Sequence, residues 1–273
     1  MPEEKSETKP EEKDKEMKGI IRKRLAEIEA AENVVIFYAC ESGSHAWGFP
    51  SANSDYNVRF LYVRPVEWYL SIEDKRDVIE KKFDGNLDIS GWDLRKALNL
   101  FWKSNPPLYE WLNSPIVYIE NSSLAEDLRH LMPAYYSPKS CIYHYLHMAR
   151  GNFREYLRGD EVWLKKYFYV LRPILAINWI EQSYGVAPTA FRLLLDKIVT
   201  EPALIAEIEN LIERKRNGDE LDKGARIPVI SEFIEQELTR LDNATINFDS
   251  PHIPINELDN LFRSTLAHIW NNH

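Results

Sequence analysis

The chain has 273 residues, 44% of them hydrophobic and 12% aromatic, enough to bury the core of one large domain or two small ones. Its formal net charge of −9 excludes a global basic field, so any polynucleotide must be held by a local basic groove or by metal ions. Two isolated cysteines, Cys40 and Cys141, give neither a disulfide framework nor zinc-ligand spacing. With no run of about 18 apolar residues to span a membrane and no apolar signal core, they point to a reduced, cytoplasmic setting.

Residues 1–18 are almost all charged, Ser, Thr or Pro, and cannot bury enough apolar area to offset ordering, so they read as a disordered charged tail that turns helical near Met17. Ile20 to Ala31 has helical apolar spacing, and Val34 to Tyr38 is a β-branched and aromatic run expected as a buried strand. Cys40 to Ser54 is turn-rich, Val58 to Val63 and Val78 to Phe83 read as strands, and Leu87 to Ile89 is a short strand after the Asp84-Gly85-Asn86 turn. From Asp93 the pattern is helical. Asp93 to Trp102 comes first, then proline pairs and Asn105 punctuate. Further helices are expected over Leu124 to Met132, Ser140 to Leu157, Glu161 to Gln182, Ala190 to Ile198, Pro202 to Arg216, Ile227 to Leu241 and Ile255 to Ile269. Strands first and helices second make an α+β chain: a mixed-sheet domain over 19–125, its helices on one face, and a helical domain over 126–273 that closes a cleft.

The chemistry concentrates in Glu41-Ser42-Gly43-Ser44, some ten residues before Asp55-Tyr56-Asn57, with a further acid at Asp88. Glycine lets a backbone approach a ligand closely, and the Ser44 hydroxyl with neighbouring N–H groups can hold phosphate oxygens. Asp55 and Asn57 are two apart on a strand, so their side chains share a face. Oxygen donors there, joined by Asp88 from a neighbouring strand, suit Mg²⁺ or Mn²⁺ on a triphosphate. A pair of such ions about 4 Å apart would stabilise the attacking and leaving oxygens of an in-line displacement.

A Gly-Ser turn, a spacer, an Asp-x-Asp strand and a third acid resemble the DNA polymerase β superfamily of nucleotidyltransferases. The wider runs Glu41-Ser-Gly-Ser-His-Ala-Trp-Gly-Phe, Ser54-Asp-Tyr-Asn-Val-Arg-Phe-Leu-Tyr-Val, Leu87-Asp-Ile-Ser-Gly-Trp-Asp, Asn105-Pro-Pro-Leu-Tyr-Glu-Trp-Leu and Lys165-Lys-Tyr-Phe-Tyr-Val-Leu-Arg-Pro resemble the nucleotidyltransferase family associated with bacterial RNA repair. That resemblance implies a polymerase β-like fold and transfer of NMP from an NTP to an acceptor hydroxyl, with pyrophosphate released. It implies a two-metal Mg or Mn site on Asp55, residue 57 and Asp88, Asp88 also serving as general base. Gly43 and Ser44 would hold the triphosphate, with Lys165 or Lys166 reaching it from the helical domain, and the acceptor would be an RNA end. The family has Asp where this chain has Asn57, and a neutral amide is a poor substitute for a carboxylate on a divalent ion. Asn57 is either an inactivating replacement that traps substrates or a natural variant with weak or no transfer. A protein hydroxyl or a small molecule such as an aminoglycoside is the alternative acceptor. A non-catalytic nucleotide-binding module is the alternative class.

Other residues read more plainly. Arg172, in an apolar run, needs an anionic partner, either an internal acid or the substrate. His144 and His147, three apart, suit packing or groove lining better than metal. His45 follows the turn and can approach phosphate. Trp47, Trp92, Trp102, Trp111, Trp163 and Trp179 are expected mostly in the core, with one or two available as a nucleobase platform.

Overall fold

The computed structural model describes residues 10–51, 53–83, 86–219, 221–245, 247–248 and 254–270. Half of the expected tail, residues 1–9, and the Asp84-Gly85 pair of the expected turn lie outside these. The first element is α1 (Pro10–Glu32), which starts well before Ile20. Its buried stripe Ile21, Leu25 and Ile28 anchors the helix, and extending an anchored helix needs no new nucleus, so Pro10 to Lys18 is helical rather than coil.

Five strands follow: β1 (Val35–Ser42), β2 (Tyr56–Val63), β3 (Val78–Phe83), β4 (Leu87–Asp93) and β5 (Val117–Glu120), with the short helices α2 (Gly43–Trp47) and α3 (Val66–Tyr69) between them. They form one sheet in the order β3-β4-β2-β1-β5. The β2–β4 pair is parallel and the others antiparallel, so the sheet is mixed, as expected. The helices do not lie on one face. Ile36, Val58, Phe60, Tyr62 and Ile89 pack with the α1 stripe on one side. Phe37, Cys40, Leu61 and Val63 pack on the other against α4 (Leu94–Trp102), α5 (Pro106–Leu112) and α6 (Leu124–Tyr135), together with the C-terminal α12 (Asn256–Trp270). Strands that are apolar on both faces require cover on both. Gly91 opposes Phe60 across β2 and β4; a Cβ there would sit 2.3 Å from the Phe60 ring, so only glycine lets the two strands close.

The proline pair at 106–107 opens a helix instead of breaking one. The Asn105 side chain accepts the Leu108 N–H and a proline occupies the first turn, where its missing donor costs nothing. The helix expected from Glu161 begins later. Glu161–Trp163 is strand β6, paired with β7 (Lys223–Ala225).

The helical body consists of α7 (Pro138–Tyr156), α8 (Lys166–Glu181), α9 (Phe191–Ile198), α10 (Pro202–Arg216) and α11 (Pro228–Asn243). Its core surrounds α8, whose residues from Val170 to Ile177 are all buried. Helix α6, which the expected boundary placed with this body, packs on the sheet through Leu124, Leu128 and Met132.

Arg172 of α8 ties the two layers together. Its guanidinium donates to Glu110 Oε1 of α5 at 2.6 Å and to the Pro188 carbonyl at 3.3 Å. Glu110 also accepts from Tyr145 at 2.9 Å. Of the two partners foreseen for Arg172, the structure supplies the internal acid. Removing one member of a buried pair strands the other charge. Arg172→Leu is therefore expected to destabilise the fold by about 3–5 kcal/mol, and Arg172→Leu with Glu110→Leu by much less; chemical denaturation of both variants checks this.

Candidate active site

β1 ends and β2 begins beside one another at the rim of the sheet, Ser42 opposing Asn57. Gly43 takes φ +64° to turn the chain into α2, and a Cβ on it would meet the Asn57 amide nitrogen at 3.2 Å. Glycine is therefore required twice here, for the left-handed backbone and for the close approach of Asn57. The turn is fixed from beneath by Glu41, 1% exposed, a residue to which the sequence assigned no role. Its Oε1 accepts the Asn57 N–H and its Oε2 accepts the Tyr118 hydroxyl, both at 2.6 Å. Burial pushes this carboxyl up to about 7, against the pull of those hydrogen bonds.

Behind Gly43 the chain plunges into the helical body. Phe49 is 2% exposed and belongs to that body's core, its ring 4.6 Å from Phe168 and 5.4 Å from Phe191. Trp47 lies edge-on to Tyr169 at 5.4 Å, with the Arg172 guanidinium 5.3 Å from its ring. A cleft of about 390 Å³ opens between the layers, lined by Ser44, Asp55 and Asn57 on the sheet side and by Lys165, Lys166, Tyr169 and Lys215 on the helical side. Burial and the facing Asp55 carboxylate raise the Tyr169 hydroxyl above its ordinary value.

The structure thus brings Ser44, Asp55, Asn57, Lys165 and Lys166 into one hollow, with Gly43 at its rim. Asp88 is apart from the lining. It opposes Asn57 on the parallel strand β4, and Arg59 stands over it, donating to Asp88 Oδ2 at 2.9 Å and to Asn57 Oδ1 at 3.2 Å. Arg59 is a second functional position without a role in the sequence reading. Alternation along β2 places it on the Asn57 face, which makes it foreseeable.

Lys215 is the third. On α10 it follows Ile208, Leu211 and Ile212 at helical spacing, so it is a lysine on the buried stripe of its helix. Its ammonium lies 5.1 Å from the Phe49 ring and 6.0 Å from that of Phe168. Burial and the neighbouring Lys165 push its pKa down to about 8. Burial, and then Lys165, also lower Lys166, whose ammonium sits 4.1 Å from the Tyr156 ring and 4.6 Å from that of Tyr169. Three lysines therefore face one carboxylate, Asp55, in a chain of net charge −9. Of the remaining expectations, His45 stacks on Tyr56 at 4.3 Å, and burial lowers His144. Trp92 and Trp111 stack on each other at 3.8 Å within the sheet layer.

Residues 17–264 match the RNA repair pathway DNA polymerase beta family, and the chain belongs to that family of nucleotidyltransferases. It is 52% identical over 255 residues, 93% of this chain and 98% of the relative, to the uncharacterized protein YcgL of Bacillus subtilis (strain 168). A crystal structure of a nucleotidyltransferase-like protein from Exiguobacterium sibiricum 255-15 is distantly similar, with 10% identity and a TM-score of 0.31 over 82% of this chain and 75% of that one. No helix among the described residues is long and apolar enough to cross a membrane.

Nucleotidyltransferases of this superfamily generally use divalent metals. The three positions expected to hold two ions do not form a cage for them. Among the described residues no three His, Cys, Asp or Glu side chains are grouped so as to hold a metal ion. Asn57 offers a neutral oxygen already engaged by Arg59, and the same guanidinium neutralises Asp88. Among the described residues, Asp55 alone lines the cleft with a carboxylate.

The position of Lys215 gives a pH signature with a definite sign. Between pH 8 and the free-lysine value near 10.5, the unfolded chain holds a proton at Lys215 that the folded chain has released. Stability therefore rises with pH through this window and loses nothing above it. The gain is expected to be roughly 1–2 kcal/mol after solvent screening. Lys215→Met should flatten that part of the curve, as followed by urea unfolding from pH 7 to 10.5.

Proposed function

We propose that the cleft binds the polyphosphate of a nucleoside triphosphate and that the chain transfers the nucleotidyl group to an acceptor hydroxyl, releasing pyrophosphate. The convergence of Lys165, Lys166 and Lys215 opposite Ser44 carries this reading. Three ammonium groups held together at the cost of mutual repulsion, two of them with depressed pKa values, are best explained by a polyanion that occupies the space between them. In this reading Gly43 and Ser44 offer donors to the β- and γ-phosphates from the sheet side, and the lysines grip the same groups from the helical side. As the acceptor oxygen bonds to the α-phosphorus and the bridging P–O bond breaks, negative charge collects on the departing pyrophosphate, where the lysines can stabilise it. The acceptor we favour is an RNA end, on the strength of the family's association with RNA repair. The setting we favour is the cytoplasm, which suits two buried free thiols.

The metal requirement separates two versions of the proposal. With Asn57 and the Arg59–Asp88 pair as they stand, the chain is expected to bind the triphosphate and to transfer slowly. Asn57→Asp adds a second carboxylate beside Asp55 and gives Arg59 a charged partner on each side. This variant is expected to bind Mn²⁺ at least about tenfold more tightly, since ligand charge sets the affinity of such sites, and to gain transfer activity.

Two measurements check the proposal. Lys215→Met and Lys166→Met should each weaken triphosphate binding by about tenfold or more at pH 7, as for a lost charge-assisted contact, in calorimetric titrations of the full chain. Labelled NTPs with Mn²⁺ should then yield labelled RNA ends with the Asn57→Asp form. If neither form binds any triphosphate, the nucleotide reading is wrong. Label on a protein or an aminoglycoside, and never on RNA, moves the acceptor to one of those classes.

A further inference from the structure

Outside the cleft, the outer face of the β6–β7 pair carries an indole flanked by cations. Trp163 ends β6 and opposes Lys223 of β7. The Lys165 ammonium lies 5.3 Å from the Trp163 ring centre and that of Lys223 5.6 Å. Trp163 is only half-buried, and Lys165 and Lys223 are exposed. Neither lysine forms an ion pair among the described residues.

The platform is rigid. Val162 on the opposite face is 1% exposed, and Gly224 lies so close to Leu164 that a Cβ would be 3.0 Å from its Cδ1. The backbone of Leu164 and Lys165 donates to the carbonyls of Asp222 and Leu221 at 3.0 and 2.9 Å. Lys165 is shared with the cleft, so the platform is continuous with the triphosphate site. Glu161, two residues before Trp163 on the same face, makes the far end acidic and orients a bound polyanion toward the cleft.

We propose that Trp163, Lys165 and Lys223 form the docking surface for the acceptor, a single-stranded nucleic acid. One unpaired base stacks on the Trp163 indole while Lys165 and Lys223 hold the flanking phosphates, and the strand's terminal hydroxyl enters the cleft past Lys165. This rests on the nucleotidyl-transfer reading above. A half-buried indole with two exposed lysine ammonium groups within 6 Å of its ring centre matches an unpaired base between two phosphates, the flexible lysines swinging off the ring onto the phosphates as the base stacks. A duplex keeps its bases stacked inside and offers the indole no face.

The test uses the full chain and a labelled 12-nucleotide single-stranded RNA, followed by fluorescence anisotropy at several salt concentrations, with triphosphate binding to the wild type measured in parallel. Trp163→Ala is expected to weaken RNA binding about tenfold or more and Trp163→Phe by less than about threefold, since a phenyl ring still stacks. Lys223→Ala is expected to lower the slope of log affinity against log salt by about 0.7, the value for one phosphate contact on a single strand. Lys103→Ala, an exposed lysine on the sheet layer, should change neither. The proposal is overturned if the wild type binds no RNA, if a blunt duplex of the same length binds as tightly, or if Trp163→Ala and Lys223→Ala both retain wild-type affinity. Should Trp163→Ala fail to fold, Trp163→Phe and the Lys223→Ala slope decide. Absence of triphosphate binding strikes the cleft reading, whereas loss of the RNA result with triphosphate binding intact strikes only this surface.

Discussion

The cleft exists because a piece of the sheet layer is buried in the helical one. Just past α2, Phe49 enters the core around α8, where it meets Phe168 and Phe191, with Trp47 half-buried against that core, and Arg216 donates to the carbonyl of the exposed Gly48 at 3.0 Å. The Arg172–Glu110 pair fastens the same two layers from the other side of Trp47. A buried aromatic anchor and a buried, hydrogen-bonded ion pair leave little freedom for one layer to slide over the other. The span between Ser44 and Lys166 is thus set by core packing, not by loop conformation. Such support is what an electrostatic site needs, because a cation displaced by about 1 Å from its target anion loses much of its value.

The charge pattern follows from this packing. In a chain of net charge −9, a positive wall must be built locally. The fold does so by bringing two residues at the start of α8 and one near the end of α10 to the same wall. Lys215 rests its ammonium against Phe49, the residue that anchors the layers. The part that holds the architecture together thus also desolvates one of the cations, which among the described residues forms no ion pair with a carboxylate.

Much of this was legible in the sequence, and the limits have physical causes. The β1–turn–β2 unit was readable because glycine, serine and alternating apolar residues carry local signals, and β3, α4 and α8 to α11 declared themselves by their periods. Strands of three or four residues such as β5, β6 and β7 hold no period to detect, and they exist because a partner strand offers hydrogen bonds. The Asn105-Pro106 start of α5 was taken for punctuation because proline ends helices more conspicuously than it begins them. At the site, Ser44, Asp55, Lys165 and Lys166 were found from local motif. Lys215 is distant in sequence and arrives only through tertiary packing, though its place on an apolar stripe was a usable clue. Glu41 was hidden by its own burial, since a carboxylate at a strand end ordinarily faces solvent.

The least expected feature is what Arg59 does at the rim of the sheet. One guanidinium bridges an amide oxygen on β2 and a carboxylate on β4. With a carboxylate at 57, the same guanidinium would sit between two anions. With the amide, Arg59 has one full partner and no rival for it, so the strands are pinned in the resting arrangement. With a neutral amide at 57, Asp88 is the charged partner that Arg59 holds at this rim. In the proposed function the lysine wall grips a polyphosphate while this amide and ion pair hold the rim, and the rim's arrangement follows from one pair of neighbouring parallel strands.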